Sequence, residues 1–253
     1  MSSTATQPTA PDVAVVIPAL NEAENIRSLA ERVDAALAER NFELIVVDDG
    51  STDGTSEQLA GGPAHWRVLR HNEPAGQSAA VHTGVRAAKA PLIVTLDGDG
   101  QNPPEEIPKL LAIWDARADD AQLGLVAGQR EKRIDTVSKR LASRFANGIR
   151  SAALSDGTRD TGCGLKAFKR DVFLELPYFN HMHRYLPALA KRSGYDVDLV
   201  DVGHAAREAG SSKYTNFQRG LVGIVDLLGV MWLLRRRKTA VLAEQDTPTE
   251  SET

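Results

Sequence analysis

Short runs of Val, Ile and Leu alternate in the first half of the chain with longer segments whose apolar residues recur every three or four positions. The runs predict buried strands, and the periodic segments predict helices. The predicted strands are 13–18, 43–48, 66–71, 91–96 and 123–127. The predicted helices run from near Glu22 to about Arg40, with Asn21 as the N-cap, from about Gln77 to Ala88, and onward from Pro103. This alternation predicts an α/β fold with a mostly parallel sheet flanked by helices.

The second half of the chain is less regular. Its predicted elements are a basic helix over 136–151, strands over 166–168 and 197–202, and a long terminal helix over 214–237. No repeat or linker divides the chain. We therefore expect one domain over 12–220, an amphipathic helix over 221–238, and disordered polar tails over 1–11 and 239–253.

Polar clusters stand at the carboxyl ends of two predicted strands. Asp48 and Asp49 end one of them, and Asp97 and Asp99 follow another. In open α/β sheets, ligands bind in the crevice outside the carboxyl ends of the strands. We therefore expect these carboxylates to share one crevice.

The triplet Asp97-Gly98-Asp99, followed by Gln101, is the strongest local signal of chemistry. Two carboxylates separated by glycine can reach one hard divalent cation and neighbouring phosphates, and Gln101 adds a neutral oxygen. Mg²⁺ and Mn²⁺ take such ligands and commonly bridge carboxylates to substrate phosphates. A solvated acidic turn is the alternative interpretation.

Asp49 and Asp53 belong to the polar turn 48–54. Asp49 closes a strand, so its carboxylate is a candidate to accept hydrogen bonds from a nucleobase or ribose. Asp53 is a weaker candidate for the same contact. The alternative for both is ordinary turn and helix-cap chemistry, which the same residue types provide.

Composition narrows the class of protein. The net charge of −4 on 253 residues disfavours nucleic acid as a partner. A single cysteine, Cys163, excludes an internal disulfide and is typical of a reducing compartment. We interpret it as a small packing residue between two glycines rather than a catalytic thiol. A dinucleotide-dependent oxidoreductase is disfavoured, because no Gly-x-Gly-x-x-Gly follows the first strand.

Three stretches, by their order and spacing, resemble the family-2 glycosyltransferases with the GT-A fold. They are Val16-Ile17-Pro18-Ala19-Leu20-Asn21-Glu22, the segment 46–54 (VVDDGSTDG) and the segment 96–105 (LDGDGQNPPE). Within that family the chain resembles the dolichyl-phosphate mannose synthase branch, which uses polyprenyl-phosphate acceptors. Supporting stretches are 101–105, Gly128-Gln129-Arg130 and Arg207-x-x-Gly210-x-Ser212-Lys213. The resemblance implies a single GT-A domain with a Rossmann-like nucleotide-binding half and an irregular acceptor half.

The resemblance also implies roles for individual residues. Those expected to line the nucleotide pocket are Pro18, Leu20, Glu22, Val47 and Asp49. Those expected to hold Mg²⁺ or Mn²⁺ and the donor diphosphate are Asp97, Gly98, Asp99 and Gln101, with Asp99 and Gln101 nearest the metal. Arg207 and Lys213 would close over the donor phosphates. Arg130, with Lys139 or Arg140, would bind the acceptor phosphate. The expected catalytic residues are Asp97, Asp99 and Arg130.

The expected reaction is the inverting transfer of a hexose from GDP-mannose or a UDP-sugar to a polyprenyl phosphate. A divalent cation and basic side chains would neutralise the nucleoside diphosphate as it leaves. The acceptor phosphate has a second pKa of about 6, so it is largely ionised and needs no general base. Arg130 suits it because guanidinium pairs bidentately with phosphate. For the stretch 130–144 as a whole, a solvated basic helix face is the alternative.

Two other functions stay open. A GT-A enzyme with a soluble or saccharide hydroxyl acceptor would need a carboxylate base, for which Asp160 is the candidate. A non-catalytic protein could bind a nucleotide-sugar without turnover, although the acidic and basic residues together disfavour it.

A second polar loop, 160–166, precedes two histidines. Its glycines permit close approach of a ligand, and equally occur in ordinary turns. His181 and His183 are two residues apart, which points them to different faces of a helix and disfavours a shared metal site. Arg184 beside them is a candidate for contact with the sugar or the acceptor phosphate.

The segment 221–234 is almost wholly apolar and is followed by basic residues at 235–238. As a helix it would measure roughly 21 Å, whereas the hydrocarbon core of a bilayer is about 30 Å thick. Trp232 and the basic flank are typical of an interfacial anchor on an anionic leaflet. A helix packed on the sheet is the alternative. We expect a cytoplasmic protein, peripheral on the inner face of the membrane, with the lipid surface or a separate membrane protein as partner.

Overall fold

The structure is a computed structural model that describes residues 10–130, 154, 156–205 and 216–236. Its strands are β1 (Val13–Ala19), β2 (Phe42–Asp48), β3 (Trp66–Arg70), β4 (Leu92–Thr95), β5 (Leu123–Arg130), β6 (Lys166–Lys169) and β7 (Asp196–Val202). Its α-helices are α1 (Ile26–Ala36), α2 (Gln77–Ala87), α3 (Ile107–Ala116), α4 (Arg170–Glu175), α5 (Leu186–Arg192) and α6 (Asn216–Arg235). Short 3₁₀ turns cover Glu57–Leu59, Pro104–Glu106 and Met182–Arg184.

The seven strands form one sheet in the order β3-β2-β1-β4-β6-β5-β7. β6 pairs antiparallel with β4 and β5, and every other neighbouring pair is parallel. The mostly parallel sheet predicted from the sequence is therefore confirmed. The carboxyl ends of β1, β2 and β4 lie side by side, which places the acidic loops at one edge of the sheet.

Helices cover both faces of the sheet, which explains why its central strands are apolar without alternation. On one face, Val13, Val15 and Ile17 pack with apolar residues of α1 and α3. On the other face, Ala14 and Val16 pack with α2, α4, α5 and α6. Both faces of β1 are therefore core.

The entry to α1 differs from the sequence prediction. The helix begins at Ile26 rather than near Glu22, and Asn21 is not its N-cap. Asn21 adopts a left-handed conformation with φ 56°, which asparagine tolerates better than most residues. Its Oδ1 accepts a hydrogen bond from the Thr52 amide (2.9 Å), and its own amide donates to Ser51 Oγ (2.9 Å). The side chain is therefore used to join the ends of β1 and β2.

Other predicted elements are found within a few residues of the expected bounds. The strands predicted at 166–168 and 197–202 are β6 and β7, and α6 corresponds to the predicted terminal helix. The basic helix predicted over 136–151 lies outside the described residues. So do residues 1–9 and 237–253, which hold nearly all of the predicted tails.

α6 is two-sided. Leu227, Val230 and Met231 pack towards the core, whereas Ile224, Val225, Leu228 and Trp232 are each about 60% exposed. The Asp226 carboxylate of the same helix lies 2.8 Å from His181 Nδ1. This contact joins α6 to the turn at Met182–Arg184. None of the helices in the described residues is long and apolar enough to cross a membrane.

Candidate active site

Residues 97–101 follow β4, and we call them the acidic loop. Amide side chains hold this loop from two directions. Gln77, the first residue of α2, donates from Nε2 to Asp97 Oδ1 (2.7 Å), and Asn102 donates from Nδ2 to Asp97 Oδ2 (2.9 Å). Asp99 Oδ1 accepts the amide of Gln101 (3.1 Å). Burial, and then the charge of Asp99, raise the pKa of Asp97. Such a carboxylate gains from a cation placed beside it.

The second polar loop, 160–166, packs directly on this acidic loop. β6 pairs antiparallel with β4, so that Lys166 lies opposite Thr95. Thr95 Oγ1 donates to the Gly164 carbonyl (2.7 Å), and any Cβ at position 164 would overlap the Asp97 carboxylate. Gly164 thus serves the close approach of a protein carboxylate, which the sequence could not distinguish from approach of a ligand.

A polar cavity of about 260 Å³ opens between the two loops and α2. We call it the central cavity, and its lining residues are Gln77, Asp97, Asp160, Thr161, Gly162, Cys163, Gly164, Lys166, His183 and Arg184. Two residues expected at the site from the sequence, Asp97 and Arg184, are therefore brought together here. The remaining lining residues, apart from the alternative base Asp160, were not predicted as site residues.

Arg130 lies beside the central cavity, at the end of β5, and is paired with Asp160. Arg130 donates to both carboxylate oxygens, from Nε to Oδ2 and from Nη2 to Oδ1 (2.9 Å), and the two side chains are only 11% and 16% exposed. Burial alone would raise the pKa of Asp160, but the hydrogen bonds and charge of Arg130 lower it. Asp160 is therefore held as an ionised partner of Arg130.

Gln129 positions this ion pair. Its buried side-chain oxygen accepts the amides of Arg159 (2.8 Å) and Asp160 (3.0 Å), and its Nε2 donates to the Gly128 carbonyl (3.0 Å). These bonds fix the loop so that Asp160 faces Arg130. The side-chain amide of Gln129 thus has a structural role, which depends on the length of the glutamine side chain.

Lys166 is a buried cation in the central cavity. Its side chain is 3% exposed, and Nζ donates to the Cys163 carbonyl. Burial lowers the pKa of Lys166, against the opposing influence of neighbouring groups that include Asp97 and Asp160. Cys163 itself is fully buried in the core and burial raises its thiol pKa, which confirms its interpretation as a packing residue.

The two histidines have different partners. His183 Nδ1 lies 2.7 Å from Ser78 Oγ of α2 and its ring lines the central cavity, whereas His181 faces Asp226 of α6. Burial, and then the charge of Lys166, hold the pKa of His183 well below its usual value. His183 is therefore a neutral hydrogen-bonding group in a polar cavity.

The donor set suits a hard divalent cation bound together with phosphates. Within the described residues, no group of three or more His, Cys, Asp and Glu side chains could hold a metal ion. Mg²⁺ is commonly held by one or two carboxylates, with substrate phosphates and water completing its coordination. Asp97 and Asp99, with Gln101 beside them, fit that pattern and do not fit a closed all-protein metal site.

The residues expected to line the nucleotide pocket differ in how far they are exposed to solvent. Pro18 is half-buried near Asp97, and Leu20 is 40% exposed at the end of β1. Glu22 Oε2 accepts a hydrogen bond from Asn25 (2.9 Å). Val47 is different, because its side chain is fully buried in the core against α2. The Val47 side chain therefore packs in the core, and its expected place in the nucleotide pocket stays a prediction.

Asp49 and Asp53 both hold loops. Asp49 is buried and accepts hydrogen bonds from His71 Nδ1 (2.7 Å) and the amides of Ala75 (2.9 Å) and Gly76 (2.7 Å). Asp53 accepts the amides of Ala23 and Thr55 (both 3.0 Å). The turn chemistry considered from the sequence is thus observed for Asp53, whereas Asp49 bonds to the distant segment 71–76. A nucleotide contact by either residue stays a prediction.

Four of the expected basic residues, Lys139, Arg140, Arg207 and Lys213, lie outside the described residues. The last described residue before Arg207 is Ala205, whose amide donates to the Gln101 carbonyl (3.0 Å). The chain leading to Arg207 therefore leaves the sheet beside the acidic loop.

Comparison with known proteins gives both a family and a fold. The family model described as Glycosyl transferase family 2 matches residues 14–176. An undecaprenyl-phosphate 4-deoxy-4-formamido-L-arabinose transferase of Yersinia enterocolitica is 34% identical over 209 residues, which are 80% of this chain and 62% of the relative. A protein of that name from Photorhabdus laumondii is 36% identical over 222 residues, 85% of this chain and 66% of the relative. The chain thus spans about two thirds of the length of these relatives.

Solved structures support the GT-A architecture. Mannosyl-3-phosphoglycerate synthase from Rubrobacter xylanophilus superposes with a TM-score of 0.66 at 16% identity, covering 94% of this chain and 79% of that one. Glucosyl-3-phosphoglycerate synthase from Mycobacterium tuberculosis, in complex with Mg²⁺ and UDP, gives 0.65 at 20% identity, with 87% and 80% covered. At these identities the likeness concerns the fold.

Proposed function

Because the chain belongs to glycosyl transferase family 2, we propose that it transfers a hexose, with inversion, from a nucleoside-diphosphate sugar to a polyprenyl phosphate. The observation that carries this proposal is a single polar cavity. Asp97 of the acidic loop, Lys166 and Arg184 line it, and the Arg130–Asp160 ion pair lies at its edge. The printed names of the Yersinia and Photorhabdus relatives, which act on undecaprenyl phosphate, support the acceptor class.

The donor diphosphate binds at the acidic loop. Gln77 and Asn102 hold the Asp97 carboxylate in place, so its oxygens are oriented before a substrate arrives. A bound Mg²⁺ or Mn²⁺ would supply positive charge to the leaving nucleoside diphosphate. Arg207 and Lys213, which lie outside the described residues, bind the same phosphates in this proposal.

The state of Asp160 favours a phosphate acceptor over a hydroxyl acceptor. The carboxylates lining the central cavity are Asp97 and Asp160. Asp97 serves the donor side, and Asp160 is ionised and occupied by Arg130 with a lowered pKa. A general base works best with a pKa near the operating pH. An ionised phosphate oxygen is a nucleophile without such a base, and so it suits this cavity.

The exposed apolar side of α6 places the protein on a membrane in this proposal, as a peripheral protein on the cytoplasmic face. Leu228 and Trp232 would enter the interfacial region, where the phosphate of a polyprenyl carrier also lies. Arg236, whose guanidinium stacks on Trp232 at 5.6 Å, would face anionic headgroups.

Transfer of a radiolabelled sugar tests the function. The protein is incubated with Mn²⁺ and labelled GDP-mannose or UDP-sugars, and either undecaprenyl phosphate or the alcohol undecaprenol is added. We expect organic-extractable label only with the phosphate. Label in water-soluble products alone would contradict the lipid acceptor, and donor binding without any turnover would indicate a nucleotide-sugar-binding protein.

The base of the donor is tested separately by thermal unfolding with UDP, GDP and ADP in the presence of Mn²⁺. A ligand that binds only the folded protein stabilises it, and at equal concentration the ligand that binds most tightly stabilises it most. We expect one nucleotide to raise Tm well above the others. Equal or absent stabilisation by all three would contradict a built nucleotide site.

A further inference from the structure

Lys166 differs from the other buried cation of the site. Arg130 and Lys166 are both shielded from solvent, but Arg130 is matched by the carboxylate of Asp160. For Lys166, the hydrogen-bond partner found is the Cys163 carbonyl, and no ion pair within 4.0 Å joins Nζ to a carboxylate of the described residues. An ammonium has three N–H donors. Among the described residues, the charge of Lys166 is therefore countered only at longer range.

The position of Lys166 directs its ammonium to the central cavity. Lys166 begins β6, which the sheet fixes between β4 and β5, and its side chain lines the cavity with Asp97 and His183. A buried ammonium without an adjacent anion is unfavourable, because water is removed and no partner replaces it. An anion that enters the cavity would supply the missing partner.

We propose that Lys166 binds a phosphate group of a substrate in the central cavity. The proposal deepens the proposed function and rests on it for the identity of the substrate, since both the donor diphosphate and the acceptor phosphate carry this chemistry. Arg184, which also lines the cavity and is exposed, would add a second positive charge at its mouth. Thr161 lines the same cavity, and the cavity volume of about 260 Å³ is large enough for a phosphate group.

The competing explanation is structural, with Lys166 retained only to balance the charge of Asp97. The two explanations predict opposite effects on stability. If Lys166 mainly balances Asp97, Lys166→Met leaves a buried carboxylate unmatched and lowers Tm. If Lys166 is held ready for a phosphate, the methionine fills the same space without a buried charge, and Tm without ligand stays the same or rises.

The test compares Lys166→Met and Lys166→Arg with the control Lys169→Met. Lys169 lies on the same strand and also donates to main-chain carbonyls, those of Asp120 and Ala121, but it does not line the central cavity. Calorimetric titration with UDP and GDP in Mn²⁺ measures donor-phosphate binding. The KM for undecaprenyl phosphate in detergent micelles measures acceptor binding, and thermal unfolding without ligand measures stability.

We expect Lys166→Met to weaken binding of either the nucleoside diphosphate or undecaprenyl phosphate at least tenfold without lowering Tm, and Lys166→Arg to restore part of the loss. A loss confined to UDP or GDP assigns Lys166 to the donor diphosphate, and a loss confined to undecaprenyl phosphate assigns it to the acceptor. A lowered Tm with unchanged binding, or an equal loss in Lys169→Met, would overturn the proposal.

Failure of the proposed function gives a different result. If the wild-type protein transfers no sugar to undecaprenyl phosphate but binds UDP or GDP through Lys166, the phosphate site stands and the acceptor assignment falls. If the wild-type protein binds none of the three phosphate ligands, the phosphate role of Lys166 is overturned as well.

Discussion

Arg130 and Asp160 form a bidentate ion pair at the edge of the central cavity. Both side chains are largely buried, so the pair is shielded from the solvent that weakens surface ion pairs. The pair bears on the reaction, because the sequence predicts that Arg130 binds an acceptor phosphate and that Asp160 is the candidate general base. In the structure each of these side chains is the partner of the other.

We expect Asp160→Asn to retain most of the transfer to undecaprenyl phosphate. A general base contributes about 10²–10⁴-fold to a rate, so a loss of less than tenfold in kcat would show that Asp160 is not one. The variant should be less stable, since removing one partner of a buried ion pair costs about 3–5 kcal/mol. Steady-state kinetics and thermal unfolding measure the two effects.

The companion variant Arg130→Ala separates the roles of the pair. It should raise the KM for the lipid phosphate or lower kcat more than it weakens nucleotide binding. Arg117→Ala is the control, because Arg117 pairs with Asp120 and Asp198 away from the cavity. A loss of 10²-fold or more in Asp160→Asn, with a changed pH profile, would contradict the phosphate-acceptor assignment.

Removal of the acidic loop's carboxylates should abolish metal-dependent turnover. Asp99→Ala and Asp97→Asn each remove a carboxylate of the proposed metal site without breaking a strand, so the fold should persist. We expect transfer to fall at least 10³-fold and Mn²⁺-dependent UDP or GDP binding to fall with it. The control is Asp119→Ala, which removes an exposed carboxylate after α3. Full activity in Asp99→Ala would remove the proposed metal site.

Gly164→Ala should weaken donor binding by displacing the Asp97 carboxylate and nothing else in the site. The added Cβ would overlap the Asp97 carboxylate, which must then leave its hydrogen bonds with Gln77 and Asn102. We expect nucleoside diphosphate binding in Mn²⁺ to weaken at least tenfold, with a stability cost of about 1–3 kcal/mol. Calorimetry and thermal unfolding report these changes.

The matched control for Gly164→Ala is Gly229→Ala. Gly229 is an exposed position of α6 where a Cβ meets nothing within 4 Å, and alanine is favoured over glycine within a helix. That variant should bind nucleotide normally. Unchanged affinity in Gly164→Ala would mean that Asp97 tolerates displacement and is not an ordered ligand of the donor site.

The sheet and the acidic loop could be predicted from sequence because both depend on local pattern. Apolar runs buried on two faces predict parallel strands, and the acidic segments follow those strands directly. The entry to α1 could not be predicted in the same way. Asn21 bonds to Ser51 and Thr52, thirty residues away, and this long-range contact overrides its usual preference for an N-cap.

Lys166 is the basic residue of the cavity that the sequence did not assign to the site, whereas Arg184 and the adjacent Arg130 were predicted. The sequence predicts Lys166 as the last residue of the polar loop 160–166 and the first residue of a strand, and only its pairing opposite Thr95 brings it to the cavity beside Asp97. A lysine opening an apolar strand was the available signal. Gln77 and His183 carried no comparable signal, because their positions depend on how α2 packs against the turn Met182–Arg184.

Acid should destabilise the protein partly through Asp48. This side chain is fully buried and accepts hydrogen bonds from the Ser51 amide (2.7 Å), Ser56 Oγ and Arg70 Nη1 (2.7 Å). Burial alone would raise its pKa, but the hydrogen bonds of Ser51 and Ser56 and the charge of Arg70 lower it below the ordinary 3.8. The folded state therefore favours the ionised form.

The sign of the pH effect follows from that lowered pKa. The stabilisation is complete above about pH 4, the range of an unfolded aspartate, and is lost as pH falls through the folded pKa. Asp48→Asn should be less stable than wild type at pH 7 by about 1.5–3 kcal/mol, and the difference should shrink in acid. Urea unfolding at pH 7 and pH 3 measures it, with Asp119→Asn as control. A difference that grows towards pH 3 would contradict the assignment.

The exposed side of α6 should bind a lipid surface. Leu228 and Trp232 are 61% and 60% exposed, and transfer of a leucine side chain out of water is worth about 1.5–3 kcal/mol. Leu228→Asp should therefore weaken binding to anionic phosphatidylglycerol vesicles roughly tenfold or more, as measured by flotation. Tyr178→Asp, which places the same charge on a half-exposed aromatic outside α6, should bind as wild type. Because Leu228 points away from the core, Tm and nucleotide binding should be unchanged in Leu228→Asp. Wild-type flotation of this variant would mean that α6 faces something other than lipid.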